Sequence, residues 1–230
     1  MVVGGADRTS CPGLSITLTQ SPLRHRNPEY ARNRAATILV FARQPVAGRV
    51  KRRLARGLGG RRAAAIYQRL LQRTVAEIDD VPRVRRIAMV AAGHERPWFS
   101  RVLRTRGWES AVQVSGTLGA RMADAFIRFA DSDRPTILIG SDIADFCAAD
   151  IRQACRALER SDLVLGPVSD GGYWLIGMRR PYPALFKDIA WSSERVLAQT
   201  LEKAESQQLS HYLLVTRHDI DRARDISRLK

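Results

Sequence analysis

The chain has 230 residues, of which 45% are hydrophobic and 27% charged, and its formal net charge is +15. This composition is ordinary for a globular protein, and no apolar run approaches the roughly 20 residues that a membrane-spanning helix needs. The charge is compatible with a nucleic acid, an anionic membrane surface or a phosphorylated ligand as partner.

The basic charge comes almost entirely from arginine, because only four of the 38 basic residues are lysines. A genome of high GC content produces the same bias. The arginines are scattered through predicted helices without interleaved aromatic residues, unlike a nucleic-acid-binding signature. We therefore expect no specific nucleic-acid partner.

The first 35 residues are rich in Pro, Ser, Thr, Arg and Asn and show no lasting periodicity. We interpret residues 1–35 as a flexible extension or the product of an upstream start codon, and residues 36–230 as one domain. A secretory signal is not recognisable, and the three cysteines form neither a CxxC pair nor a metal-binding spacing. We expect a cytoplasmic protein without a transmembrane segment.

From Thr37 onwards, short apolar runs alternate with segments of helical periodicity. Strands are predicted at 37–42, 86–91, 111–114, 136–140, 163–166, 173–178 and 212–215. Helices are predicted near 60–79, 96–106, 118–130, 148–160 and 192–205, with a short one from about 222. The strand at 173–178 is expected to be antiparallel if the chain turns back at the two glycines that precede it. The alternation predicts an α/β fold, with a mostly parallel sheet covered by helices on both faces.

A basic loop follows the first strand and contains Arg43, Gly48, Lys51 and Arg53. Backbone N–H groups, the N-terminus of a following helix and several cations could all face a phosphate there. The loop lacks the GxxxxGK[ST] order of a Walker A motif. The alternative is a solvated basic loop in an arginine-rich chain.

A second turn rich in glycine leads from the third strand into the helix near 118–130. Gly116 and Gly119 could let a ligand approach the backbone closely, and Thr117 can cap the helix. An ordinary strand-to-helix turn is the commoner explanation of this pattern.

Asp142 follows the most apolar strand of the chain. Mg²⁺ prefers oxygen ligands, commonly one or two protein carboxylates together with substrate phosphates and water. Asp219 and Asp221, which follow the last predicted strand, are candidates for the second ligand. The alternative is that these two aspartates cap the final helix.

Asp170 precedes Gly171 and Gly172, which allow the chain to reverse tightly beside a ligand. An aspartate in this position could orient a hydroxyl group, act as a general base or bind a metal ion. A turn aspartate without a chemical role is the alternative.

Taken together, these segments resemble a bacterial family of glycosyltransferase-A-like (GT-A-like) proteins, the selenodomain-associated transferases of type one. The resemblance covers the chain from about Thr37 onwards and rests on motifs that occur in the same order: Phe41-Ala-Arg43, Gly48-x-x-Lys51-x-Arg53-Leu54, Gly116-x-Leu-Gly119-x-Arg121-Met122, Gly140-Ser-Asp142-Ile, Asp170-Gly-Gly-Tyr, Trp191-Ser192 and Asp219-Ile-Asp221. More distantly, the chain is similar to phospholactate guanylyltransferase and to molybdenum-cofactor nucleotidyltransferases.

The resemblance implies a nucleotide-diphosphosugar transferase fold and a nucleotide or nucleotide-sugar donor bound through Mg²⁺ (or Mn²⁺). It implies metal ligation by Asp142 with Asp219 or Asp221, and catalytic roles for Lys51 and Asp170. The remaining implied residues contact the nucleotide (Arg43, Gly48, Lys51, Arg53, Gly116, Gly119 and Arg121) or the substrate (Gly171, Gly172 and Trp191).

The chain departs from the family pattern at several positions: Arg52 replaces a threonine, Ala144 a proline, and Ala120 an acidic residue, and Arg222-Ala223 replaces Thr-Pro. We expect a Mg²⁺-dependent transferase. Our leading hypothesis is a glycosyltransferase with a small-molecule or lipid-linked acceptor. The alternatives are a guanylyltransferase that joins GTP to a small phosphorylated acid, and a nucleotide-binding module that has lost catalysis.

Overall fold

The computed structural model describes residues 36–93, 106–131 and 133–228. The predicted extension at 1–35 and, apart from Arg106, the predicted helix near 96–106 lie outside these ranges. Within them, no helix is both long and apolar enough to cross a membrane.

The seven strands of the described residues form a single sheet in the order β3-β2-β1-β4-β6-β5-β7. Six strands run parallel, and β6 is antiparallel to both of its neighbours, as predicted. The strands are β1 Thr37–Ala42, β2 Arg85–Val90, β3 Glu109–Val112, β4 Thr136–Gly140, β5 Leu163–Pro167, β6 Tyr173–Met178 and β7 His211–Leu213.

Within the described ranges, five α-helices cover the sheet: α1 Arg52–Leu58, α2 Gly60–Asp79, α3 Leu118–Arg128, α4 Ala148–Ala157 and α5 Val196–Ser206. Two 3₁₀ helices, Pro183–Phe186 and Ala223–Arg228, complete the described elements. The second of these lies where a short final helix was predicted. The predicted α/β architecture is confirmed.

Successive residues of each central strand pack into different halves of the core. In β1, Ile38 and Val40 face a cluster with α2 and α4, whereas Leu39 faces the cluster that contains α3 and α5. Because both faces of the sheet are covered, β1 and β4 read as continuous apolar runs rather than as alternating ones.

The boundaries differ from the prediction where single residues leave regular geometry. A separate helix α1 precedes α2, and Gly59 at φ 81° breaks the two apart. Helix α5 begins at Val196 rather than near 192; Ser192 has a left-handed φ of 69°, and the N-cap residue is Arg195. The third strand lies two residues earlier than predicted, and its pairing with β2 ends at Val112, opposite Val90.

The order of the strands fixes where a ligand can bind. From β1 the chain moves outwards through β2 and β3, and it then returns to form β4 on the other side of β1. Open α/β sheets leave a crevice at the carboxyl ends of the strands where the order reverses in this way. In this chain the crevice lies between Phe41–Arg43, at the end of β1, and Ser141–Asp142, at the end of β4.

Candidate active site

A chain of hydrogen bonds joins the ends of β1 and β4. The Arg43 backbone N–H donates to Tyr67 Oη over 2.9 Å, and Ser141 Oγ donates to the Phe41 carbonyl over 2.9 Å. A hydroxyl group has one proton, so Tyr67 must be the donor in its 2.9 Å bond to Ser141 Oγ. Burial, followed by the nearby charge of Asp142, raises the pKa of Tyr67 to about 12, so this hydroxyl stays protonated at neutral pH.

Lys51 lies in the loop after β1, immediately before α1, with a left-handed backbone at φ 47°. This conformation is uncommon for a residue with a side chain, and such residues concentrate at functional sites. The Lys51 side chain is only 5% exposed, and its Nζ lies 3.2 Å from Asp142 Oδ2. The left-handed turn thus directs a buried ammonium group at the carboxylate that ends β4.

The segment that contains Asp219 and Asp221 runs alongside the residues after β4. Asp219 forms an isolated antiparallel bridge with Ile143, and the Ile220 N–H donates to the Asp142 carbonyl over 3.3 Å. Arg53 binds Asp221 over 2.9 Å, between its Nη1 and the Oδ2 of the carboxylate. The three aspartates predicted to bind a metal ion therefore share one end of the sheet, and two of them already contact a cation, Lys51 or Arg53.

Arg217 fixes the position of the segment that contains Asp219 and Asp221. Its Nη2 donates to both carboxylate oxygens of Asp150, at 2.8 and 2.7 Å, and both side chains are buried. Its backbone N–H donates to the Pro167 carbonyl, and its own carbonyl accepts from the Ser169 N–H. Arg217 therefore positions both the Asp219 segment and the turn that carries Asp170.

The turn between β5 and β6 presents Asp170 at the surface of the crevice. Asp170 Oδ1 accepts from the Gly172 N–H over 3.0 Å, which leaves Oδ2 for other contacts. Gly171 has φ 86°, and a Cβ there would overlap the carbonyl of Glu194. Gly171 is thus required by the close packing of this turn against the chain before α5.

Asp219 carries the electrostatic signature of a crowded acidic site. Burial raises its pKa most, the negative charges of Asp170 and Asp221 raise it further, and Lys51 opposes them. Among the described residues, no group of three His, Cys, Asp or Glu side chains is arranged to hold a metal ion on its own. A metal ion here would take part of its coordination from the substrate and water, as Mg²⁺ commonly does.

These residues surround a cavity of about 650 Å³. Most of the predicted site residues line it: Arg43, Lys51, Arg53, Arg121, Asp142, Asp170, Gly172, Trp191, Asp219 and Asp221. The cavity is therefore the place where the sequence motifs converge.

Four predicted glycines, Gly48, Gly116, Gly119 and Gly171, do not contribute to the described cavity wall. Gly119 has a packing explanation, because a Cβ there would lie 2.6 Å from the Phe186 carbonyl oxygen and 2.8 Å from Trp191 Nε1. It lets the indole of Trp191 pack against α3 and reach the cavity. A direct ligand contact by these glycines stays a prediction.

Sequence reasoning missed Tyr67, Ser141, Gln113 and Arg217. Ser141 stands between Gly140 and Asp142 in a motif that was singled out, so its position was available as a signal. Tyr67 is a polar residue on the buried face of α2, which is a weaker signal. We find no sequence feature that marks Arg217 or Gln113.

The Asp219→Asn substitution is expected to stabilise the metal-free protein at neutral and alkaline pH. The raised pKa means that the folded state loses stability as the pH rises from the ordinary aspartate value through the folded-state pKa of Asp219. Asparagine carries no charge and avoids this loss of stability. The variant should therefore be more stable than the unmodified protein above the raised pKa, and the difference should vanish in acid. Thermal unfolding of both proteins across pH measures the difference.

The exposed Asp80→Asn variant is the matched control and should show no such pH-dependent gain. A midpoint for Asp219→Asn that stays at or below that of the unmodified protein at every pH would refute the crowded-carboxylate description.

The chain is similar in sequence to a known protein family. Residues 74–193 match the family described as "Uncharacterized protein conserved in bacteria (DUF2064)", and the chain belongs to that family. The resemblance to a bacterial GT-A-like family is thereby confirmed. No protein of curated function shows significant similarity to the chain.

Solved structures show the same fold. A proposed nucleotide-diphospho-sugar transferase from Desulfovibrio desulfuricans G20 is 28% identical with a TM-score of 0.72, over 81% of this chain and 82% of that one. The inositol-1-phosphate CTP transferase from T. maritima is 16% identical with a TM-score of 0.58, over 83% and 91%. A manganese complex of Rv0371C from Mycobacterium tuberculosis H37Rv is 17% identical with a TM-score of 0.50, over 86% and 98%. These neighbours confirm the nucleotide-diphosphosugar transferase-like fold and support the predicted transferase class.

Proposed function

We propose that this protein transfers a group from a nucleotide-activated donor bound in the cavity at the ends of β1 and β4. The observation that carries the proposal is the pairing of two cations with two carboxylates at one end of the sheet. Lys51, in the loop after β1, pairs with Asp142, and Arg53, in the first turn of α1, pairs with Asp221. A diphosphate needs cations, and a divalent ion that accompanies it needs carboxylates. Both are present within one cavity of suitable size.

Asp142, with Asp219 or Asp221, would hold Mg²⁺ (or Mn²⁺). The donor set fits such an ion, because it consists of carboxylate oxygens and lies at the wall of an open cavity that also admits substrate phosphates. When bound, the ion would neutralise charge on the phosphate oxygens.

Lys51 and Arg53 have a second role in this proposal. Each is paired with an aspartate in the free protein, and each can exchange that carboxylate for a phosphate oxygen when the donor enters. Their charge then offsets the negative charge that develops on the leaving phosphate. Asp170, with Oδ2 not engaged in the turn, would orient or deprotonate the hydroxyl group of the acceptor.

Glycosyl transfer is the first candidate reaction, supported by the relative described as a nucleotide-diphospho-sugar transferase. Nucleotidyl transfer is the second, supported by two additional cavity arginines, Arg43 and Arg121, which would suit the greater charge of a triphosphate. The acceptor is a small or lipid-linked molecule, and the reaction takes place in the cytoplasm. Nucleotide binding without turnover of any donor would instead support a binding module that has lost catalysis.

Thermal-shift screening of nucleotides and nucleotide sugars, with and without Mg²⁺, tests the proposal. A ligand at 100 times its dissociation constant should stabilise the protein by about 2.7 kcal/mol. Asp142→Asn should abolish the Mg²⁺-dependent part of that gain. Asp80→Asn, which changes the exposed C-cap residue of α2, should keep it.

Turnover assays with the ligands found by screening then distinguish glycosyl transfer from nucleotidyl transfer. Turnover of a UDP- or GDP-sugar supports glycosyl transfer, and release of pyrophosphate from GTP or CTP supports nucleotidyl transfer. Equal Mg²⁺-dependent stabilisation of the Asp142→Asn variant and the unmodified protein would contradict the metal assignment.

A further inference from the structure

Two arginines in the cavity, Arg43 and Arg121, differ from the other cations there. Lys51 and Arg53 each contact an aspartate, but neither Arg43 nor Arg121 lies within ion-pair distance of a carboxylate in the described ranges. Arg43 follows β1 and Arg121 lies in the first turns of α3, so both stand on the β1 side of the crevice. The cavity is thus divided into an acidic part after β4 and a basic part between β1 and α3.

Arg121 is held in place by a buried amide. Gln113 Nε2 donates to the Met89 carbonyl over 2.6 Å, and its Oε1 accepts from Arg121 Nη1 over 3.0 Å. Because Gln113 is only 4% exposed and both ends of its amide are used, it fixes the guanidinium group with little freedom. A neutral amide positions this cation without neutralising it.

One donor of the Arg121 guanidinium group has no acceptor among the described residues. Arg121 Nε is buried and has no hydrogen-bond partner there. Asp124, one turn further along α3, lies 3.8 Å from Arg128 and does not reach Arg121. An unpaired buried donor on a charged group is costly, so a group that the protein itself does not supply is expected to accept from it.

The second arginine adds a like charge. Burial lowers the pKa of Arg121, and the positive charge of Arg43 lowers it further. An anion between Arg43 and Arg121 would oppose this lowering of the pKa. It would supply hydrogen-bond acceptors and a negative charge to both guanidinium groups. Arginine also matches the geometry of phosphate oxygens better than lysine does.

We propose that Arg43 and Arg121 form an anion site for a phosphoryl group, distinct from the acidic part that would hold the metal ion. The proposal deepens the proposed function and rests on it only for the source of that group, which is either the donor nucleotide or a phosphorylated acceptor. The site itself requires no divalent ion. This independence makes the two proposals separable by experiment.

The test is calorimetric titration of inorganic phosphate into the protein in a buffer with a metal chelator. Arg43→Gln and Arg121→Gln are each expected to weaken phosphate binding about tenfold or more, since each removes a charge-assisted hydrogen bond. Arg121→Lys should give a smaller loss, because it keeps the charge and loses the forked donors. Arg62→Gln, which removes the same charge from an exposed position of α2, should leave the affinity unchanged.

Other variants separate this proposal from the proposed function. Asp142→Asn removes a carboxylate of the metal site and should not weaken metal-free phosphate binding. Should nucleotides fail to bind while phosphate still depends on both arginines, the anion site stands and the proposed donor is wrong. Absence of phosphate binding, or equal affinity in the arginine variants and the unmodified protein, overturns the anion site.

A second titration identifies the source of the phosphoryl group. Phosphate is added after the protein has been saturated with Mg²⁺ and the nucleotide found by screening. Competition between the two shows that the arginines hold a phosphate of the donor. Undiminished phosphate binding shows that they hold a phosphate of the acceptor, and in both cases the arginine variants must weaken the interaction.

Discussion

The Arg217→Met variant is expected to lose about 3–5 kcal/mol of folding free energy, the usual cost of removing one partner from a buried ion pair. Asp150 would remain in the interior without the guanidinium that contacts both of its oxygens. It would retain its bond from the Cys147 N–H, which caps α4 but does not neutralise the charge. Denaturant unfolding of both proteins measures the difference.

An exposed pair of similar geometry provides the control. Arg85 contacts the two carboxylate oxygens of Glu109 at 2.7 Å each, but the side chains are 40% and 53% exposed. Arg85→Met should therefore cost about 1 kcal/mol or less. Similar losses in the two variants would show that burial does not determine the strength of the Arg217–Asp150 pair.

The Lys51→Met variant is expected to reduce turnover of the donor on the order of 100-fold, comparable to the loss of one well-placed charge-stabilising donor in other active sites. Methionine has a similar length but no charge, so it cannot offset charge on the leaving phosphate. The measurement is the initial rate with the donor identified by screening, alongside the affinity of the Mg²⁺–nucleotide complex.

Arg49→Met is the appropriate control, because it removes a positive charge from the same loop at an exposed position. Its rate should stay close to that of the unmodified protein. Should Lys51→Met retain its full rate while binding the nucleotide normally, Lys51 would have no part in the chemistry and would serve only to hold Asp142.

Much of the fold was predictable because its central strands are buried on both faces. Such strands are continuous apolar runs with abrupt ends, which is why β1, β4 and β6 have the predicted boundaries. The same abrupt ends identified Asp142 and Asp170, and the structure places both at the walls of one cavity.

The contacts that hold the site together were not predictable in the same way, since they depend on distant parts of the chain. Tyr67 bonds to Ser141, 74 positions away, and Arg217 bonds to Asp150, 67 positions away. Gly119 shows the converse problem. Its sequence context allowed either contact with a ligand or an ordinary turn, and neither suggested the close approach of Trp191 and Phe186 that the structure shows.

The hydrogen-bond chain through Tyr67 and Ser141 has a consequence for substrate selection. Both of its hydroxyl protons are committed, and its two ends lie on the backbone of Phe41, in β1, and of Arg43, just after β1. We expect these hydrogen bonds to hold the β1 and β4 walls of the crevice at a constant width, which a ligand would have to fit. Under the proposed function, we expect acceptors of different size to be accommodated at the opposite wall, where residues 191–194 precede α5.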